Sequence, residues 1–229
     1  MCAAPLGLAF IKAGGLVNPV RLAAPWYIHP AEDEAAWQRM LNGETPQLAV
    51  VNIASGYREQ DPYYAPILER QWPGTLLGYV NAAYGQRPAS EILAEATRWL
   101  EQPAISGIML DCVPSQIHQG HWELGVIEQL RSIGAGTVVA NPGTLPDPAL
   151  IEHADLTCVA EQDWQDFQVW QPPAWLRDHA AERLWMLVHN VPAGEQQRAL
   201  QLCASRGAGY AWVTSGQLPN PWSTLPETW

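Results

Sequence analysis

Two carboxylates stand where an apolar run would be expected to end in something neutral. Asp111 closes Ile105-Ser106-Gly107-Ile108-Met109-Leu110, and Glu161 closes Leu156-Thr157-Cys158-Val159-Ala160. An acid at the end of a buried strand costs free energy unless it is paired, hydrated or used. Two acids facing one cleft are what glycosidic-bond hydrolysis requires: one protonates the leaving oxygen and the other acts as nucleophile or activates water. Glu161 is the candidate general acid and Asp111 the candidate nucleophile or electrostatic stabiliser. At this level the two roles are interchangeable, and either acid could instead hold a loop through backbone hydrogen bonds.

Other chemistries are less well supported by spacing. Cys112 with His189 would make a thiol nucleophile and base, but a regular pleat after Asp111 turns residue 112 toward the helices, as a packed thiol. His118-Gln119-Gly120-His121-Trp122-Glu123 lacks the HExxH spacing that sets two histidines on one helical face, so it reads as a polar loop and no metal site is expected. No GxGxxG or GxxxxGK[ST] phosphate loop is present, and no cofactor is expected.

The elements that must position these residues follow from periodicity. Short β-branched or aromatic runs at 25–29, 48–53, 75–81, 105–111, 137–141, 156–161, 184–189 and 210–214 alternate with helical patterns at 32–41, 61–71, 89–101, 121–134, 147–153, 163–170 and 195–206. Eight strands alternating with helices predict an α/β fold, a single (β/α)8 TIM barrel. Residues 1–229 then form one domain, with 1–24 a candidate flexible or processed N-terminal segment. At period two, one face of the strands carries Tyr27/His29, Val50/Asn52, Tyr79/Asn81, Met109/Asp111, Val139/Asn141, Val159/Glu161, Leu187/His189 and Trp212/Thr214. Every strand thus ends in a polar residue, and in a parallel barrel those ends meet at the C-terminal mouth, where this fold places its chemistry. His29, Asn52, Asn81, Tyr84, Asn141, His189 and Thr214 are candidates for binding sugar hydroxyls and amides.

Composition narrows the partner. With 23 Asp+Glu against 12 Lys+Arg, the net charge of -11 repels nucleic acid and anionic lipid and favours a neutral or cationic ligand. No apolar run reaches the length of a membrane span, and the opening residues lack the basic leader of a signal peptide. Cys2, Cys112, Cys158 and Cys203 show no disulfide-framework spacing. Twelve Trp beside two Phe supply indoles that pack cores and also stack on sugar faces.

In these segments the chain resembles the spherulation-specific family 4 proteins, which include glycoside hydrolase family 135. The resemblance rests on Trp26-Tyr27-Ile28-His29-Pro30, Val51-Asn52-Ile53-Ala54-Ser55-Gly56, Gly78-Tyr79-Val80 with Tyr84-Gly85 and Arg87, and Gly107-Ile108-Met109-Leu110-Asp111. It continues through Asn141-Pro142-Gly143-Thr144, Ala154-Asp155 with Glu161, Tyr210-Ala211-Trp212-Val213-Thr214, and a closing Leu218-Pro219-Asn220-Pro221-Trp222, Leu225-Pro226 and Trp229. The resemblance implies a (β/α)8 barrel, endo-acting hydrolysis of α-1,4-linked galactosamine-containing exopolysaccharide, catalytic acids at Asp111 and Glu161, and a secreted or cell-surface protein. The chain departs from the pattern at Asp111-Cys112, where the family usually has Asp-Glu. It also departs at Gly56-Tyr57-Arg58 in place of a Gly-Pro-Gly stretch, at Ala82 in place of Thr, and at Ser215 in place of an acid. The expectation is a monomeric glycoside hydrolase acting on an amino-sugar polysaccharide, with Cys112 in a supporting position. The alternative is a non-catalytic carbohydrate-binding barrel whose site has degenerated at Cys112, and a thiol-dependent hydrolase stands third.

Overall fold

The computed structural model describes residues 20–42, 46–58, 61–117, 122–223 and 225–226. Eight strands close a barrel in chain order, every neighbouring pair parallel. They are β1 (Arg21–Trp26), β2 (Leu48–Val51), β3 (Thr75–Asn81), β4 (Gly107–Asp111), β5 (Thr137–Asn141), β6 (Leu156–Asp163), β7 (Leu184–His189) and β8 (Tyr210–Val213). The connecting helices are α1 (Glu34–Leu41), α2 (Ala65–Leu68), α3 (Ala89–Leu100), α4 (Trp122–Ser132), α5 (Pro148–His153), α6 (Trp164–Val169) and α7 (Gln196–Ser205). The expected (β/α)8 architecture is therefore the observed one. Aspartates start three of the helices: the side chains of Asp33, Asp147 and Asp163 accept from the amides of Ala36, Ala149 and Gln165, satisfying donors that a helix end leaves free.

Two elements depart from the expected bounds. β1 lies at Arg21–Trp26 instead of 25–29, because its buried core is Ala23 and Ala24, which carry no β-branched or aromatic signal. α2 covers only Ala65–Leu68 within the expected 61–71, since Pro66 opens it and Pro73 follows closely.

Strand alternation sorts the layers. In β3, Leu77, Tyr79 and Asn81 pair with Gly107, Met109 and Asp111 of β4, and these last two pair with Val139 and Asn141 of β5. The opposite face receives the helices. A Cβ at Gly78 would come 2.3 Å from the Trp99 ring. Glycine there lets the indole of α3 lie against the strand, where its Nε1 donates to the Tyr79 carbonyl at 2.8 Å. At the floor of the barrel, Trp185 Nε1 reaches the Ala23 carbonyl at 3.0 Å, tying β7 to β1 from within.

β6 breaks the alternation. Thr157 and Cys158 pair with Leu184 and Trp185, but Ala160 and Glu161 pair with Met186 and Leu187, so Val159 is an extra residue, a β-bulge. Cys158 belongs to the core cluster that holds Trp185, Leu187 and Trp212. Val159 and Ala160 join the cluster formed with α6 and α7. The interior partner below Glu161 is thus Cys158 and not Val159, which corrects the period-two pairing. Without the bulge, the parity that points Cys158 inward would have turned Glu161 outward.

Candidate active site

The mouth at the strand C-termini holds a cleft of about 300 Å³ lined by Tyr84, Asp111, Cys112, Gly143, Glu161 and His189. The register brings Asp111 beside Asn81 on one side and Asn141 on the other. Asn141 Nδ2 donates to Glu161 Oε2 at 2.8 Å, and the same side chain is hydrogen-bonded to Asp111. One amide is thus shared by the two acids and keeps them at the same cleft. Asn141 is itself fixed, because its Oδ1 accepts from the Gly143 amide at 2.9 Å.

The two acids differ in their surroundings. Asp111 Oδ2 accepts from the Tyr79 hydroxyl at 2.7 Å, and the Cys112 backbone amide and Asn141 also donate to this carboxylate. Burial nevertheless outweighs these donors and holds the Asp111 carboxyl above its ordinary range. Glu161 is likewise raised by burial. The hydrogen bonds from Asn141 and Trp222 oppose that, while the charge of Asp111 adds to it. Tyr27 was placed on the inward face but not in the site. Its phenol is pushed far up by burial and then by the charges of Asp111, Tyr79 and Glu161, and its ring meets Tyr79 edge-on at 5.7 Å.

Cys112 does not continue the pleat. Its φ of 53° is left-handed, so its thiol turns back to line the cleft, with Sγ 3.7 Å from Asp111 Oδ2, instead of packing toward the helices. Burial, followed by the Asp111 charge, pushes the thiol up to about 11, so it is a poor source of thiolate at neutral pH. Ala83 and Tyr84 also have left-handed φ values, 47° and 52°. The Ala82 amide donates to the Asp111 carbonyl at 2.8 Å and the Tyr84 amide to the Cys112 carbonyl at 2.6 Å. These bonds extend the β3–β4 ladder beyond the strands and hold the Tyr84 side chain out over the cleft, 60% exposed.

The other expected binding residues are not all brought together. Asn81 sits behind Asp111, donating to the Tyr79 hydroxyl at 3.2 Å and accepting from the Ala83 amide. Asn52 accepts from the Gly56 amide and fixes its own loop. Thr214 is fully buried and its Oγ1 accepts from the Gly216 amide, so it braces a turn instead of facing a ligand. His29 leaves the strand altogether and pairs with Asp61 at 2.9 Å between Tyr63 and Tyr64. The histidine pair at 118 and 121 lies outside the described residues. Among the described residues, no group of three or more His, Cys, Asp or Glu is placed to hold a metal, and no helix is long and apolar enough to cross a membrane.

Several residues were missed. Tyr79 was assigned to the inward face, yet nothing in its type marked it as the partner of Asp111. Trp222 packs edge-on to His189 at 6.0 Å and donates to Glu161, a contact no strand period can foresee. Asp163 was missed because β6 runs two residues beyond the expected end at Glu161. It pairs in register with His189, its Oδ2 4.0 Å from His189 Nδ1, and accepts from Asn190 Nδ2 at 2.8 Å.

One buried ion pair ties loops on the far side of the mouth to α3. Glu95 accepts from Arg87 Nη1 at 2.6 Å and from the Tyr57 amide at 2.9 Å, while Arg87 also donates to the Asn81 carbonyl at 3.0 Å. Gly56, with φ of 151°, passes so close that a Cβ would lie 2.3 Å from Glu95 Oε1.

A family model for spherulation-specific family 4 matches residues 21–229. A crystal structure of Aspergillus clavatus Sph3 in complex with GalNAc is similar in fold, with a TM-score of 0.75 and 24% sequence identity, over 91% of this chain and 93% of that one. Comparison with curated proteins returned no match.

Proposed function

Given that the chain belongs to spherulation-specific family 4, we propose that it is a glycoside hydrolase cleaving an amino-sugar exopolysaccharide within the chain, at α-1,4-linked galactosamine units. The observation that carries this reading is the pair of half-buried acids, Asp111 and Glu161, held to one cleft by the shared Asn141 amide. The solved relative of similar fold was crystallised with GalNAc, which supports a hexosamine as ligand.

The environments divide the labour. Asp111 collects donors from Tyr79, the Cys112 amide and Asn141, and such donors favour an ionised group that can attack or stabilise a developing positive charge. Glu161 is raised by burial and raised further by the Asp111 charge, which favours the protonated form that a general acid needs. Gly143 leaves the cleft wall open beside the acids, and Tyr84 offers an exposed ring and hydroxyl to a sugar.

The test is release of new reducing ends from galactosamine- and N-acetylgalactosamine-containing polymers. Asp111→Asn and Glu161→Gln should each cut turnover at least about a hundredfold, the lower end for acid–base catalysis, with folding intact. Near-normal turnover in both variants overturns the assignment. A second reading, a barrel that binds sugar without cutting it, is favoured by one observation: Cys112 lines the cleft where the family resemblance leads one to expect a second acid. Saturable binding with no new reducing ends, and activity appearing only in Cys112→Glu, would establish that reading.

A further inference from the structure

A second cavity, of about 250 Å³, adjoins the cleft, and His189 lines both. Its other walls are Asp163, Asn190, Gln217 and Leu218. We propose that this cavity is a subsite for a hexosamine unit carrying a free, protonated amino group, with the Asp163 carboxylate as its counter-ion. The proposal rests on the glycan reading above and adds which chemical form of the sugar binds beside the acids.

Neither cavity has a lysine or arginine among its lining residues, whereas Asp111, Glu161 and Asp163 all face this mouth. Asp163 is held rather than neutralised. Its Oδ1 accepts from the Gln165 amide and its Oδ2 from Asn190 Nδ2, each at 2.8 Å. A carboxylate has about four acceptor positions, so capacity remains for a ligand. Asn190 is in turn fixed by a left-handed backbone, φ 57°, and by Gln217 Nε2, which donates to its Oδ1 at 3.1 Å. His189 is 9% exposed, and its Nδ1, 4.0 Å from Asp163, has no hydrogen-bond partner. Burial lowers the tendency of this ring to take up a proton, so it does not cancel the aspartate at neutral pH. The same hydrogen bonds from Gln165 and Asn190 hold Asp163 in its ionised form.

An ammonium group brings three donors and a positive charge to such a wall. An acetamide brings a single neutral N–H donor and no charge, and its methyl would shield the carboxylate from water. Leu218, 73% exposed at the rim, offers an apolar surface for the face of the same sugar ring.

The experiment is calorimetric titration of the full chain with two galactosamine oligomers of equal length, one fully N-acetylated and one de-N-acetylated. The wild type should bind the amine oligomer about fivefold more tightly at low salt, the scale of a partly exposed ion pair. Asp163→Asn, which keeps a good helix cap, should bring the two affinities together. The wild-type preference should also shrink with added salt, a readout that needs no substitution. Equal wild-type affinities, or a preference that survives in folded Asp163→Asn, overturn the subsite. Reducing-end release is followed in parallel. Cleavage without any preference for the amine retires the subsite and keeps the hydrolase. A preference lost in Asp163→Asn, in a protein that releases no ends, keeps the subsite and retires the hydrolase.

Discussion

Asp111 and Glu161 are expensive residues to fold. Both are held above the ordinary carboxyl range, so the folded state takes up protons more readily than the unfolded chain. A raised folded value contributes stability below the unfolded pKa that is lost as pH rises through the folded one. Asp111→Asn should therefore raise Tm at neutral pH, by about 2–4 °C for each kcal/mol recovered in a chain of this size, and give no such gain near pH 3. Thermal scans at the two pH values check it, with activity lost in exchange. The same raised Glu161 places the alkaline limb of the pH–rate profile above the usual carboxyl range, and residual turnover in Glu161→Gln should lack that limb. Cys112 is strained and weakly acidic. Cys112→Ala should retain most activity, and Cys112→Gly should stabilise by about 1 kcal/mol by relieving the left-handed backbone. Complete loss of activity in Cys112→Ala would make the thiol itself essential.

At the level of elements, the strand ends were readable because apolar runs that stop in Asp, Glu, Asn or His change chemical type within one residue. β3, β5 and β7 begin and end where periodicity sets them. What periodicity cannot carry is a change of phase. The Cys158–Glu161 stretch looks like a plain strand, and Glu161 reaches the interior only because Val159 drops out of register. The turn at Cys112 escaped for a similar reason, since a cysteine gives no local signal for a left-handed backbone. Inserting one alanine between Ala160 and Glu161 should leave a folded barrel with Glu161 moved one position, opposite Val188 and toward the helices. The check is loss of turnover equal to that of Glu161→Gln, with circular dichroism retained. On the helix side, Gly78→Val should cost about 1–3 kcal/mol by forcing Trp99 off the strand, measured by denaturant unfolding.

Over the whole molecule, a net charge of -11 acts on a polymer before any contact forms. Turnover on a de-N-acetylated, cationic polymer should fall as ionic strength rises, because the screening length drops from about 30 Å at 0.01 M to about 8 Å at physiological salt. Turnover on the N-acetylated polymer should respond little, and an equal salt response on both would remove long-range steering from the account. The two sides of the mouth also differ in how they are fastened. Loops after β2 and β3 are bolted to α3 through Arg87 and Glu95, with Gly56 seated directly on the carboxylate. Around β7 and β8, Asn190, Thr214, Gly216 and Gln217 are joined by amide and hydroxyl contacts. The mouth is in that sense a vice with one fixed jaw and one sprung jaw. A chain threading across the acids would be gauged against the stiff side and admitted by give on the other, so amide hydrogen exchange should run faster at 215–218 than at 54–57, and a bound oligomer should slow it chiefly on the compliant side.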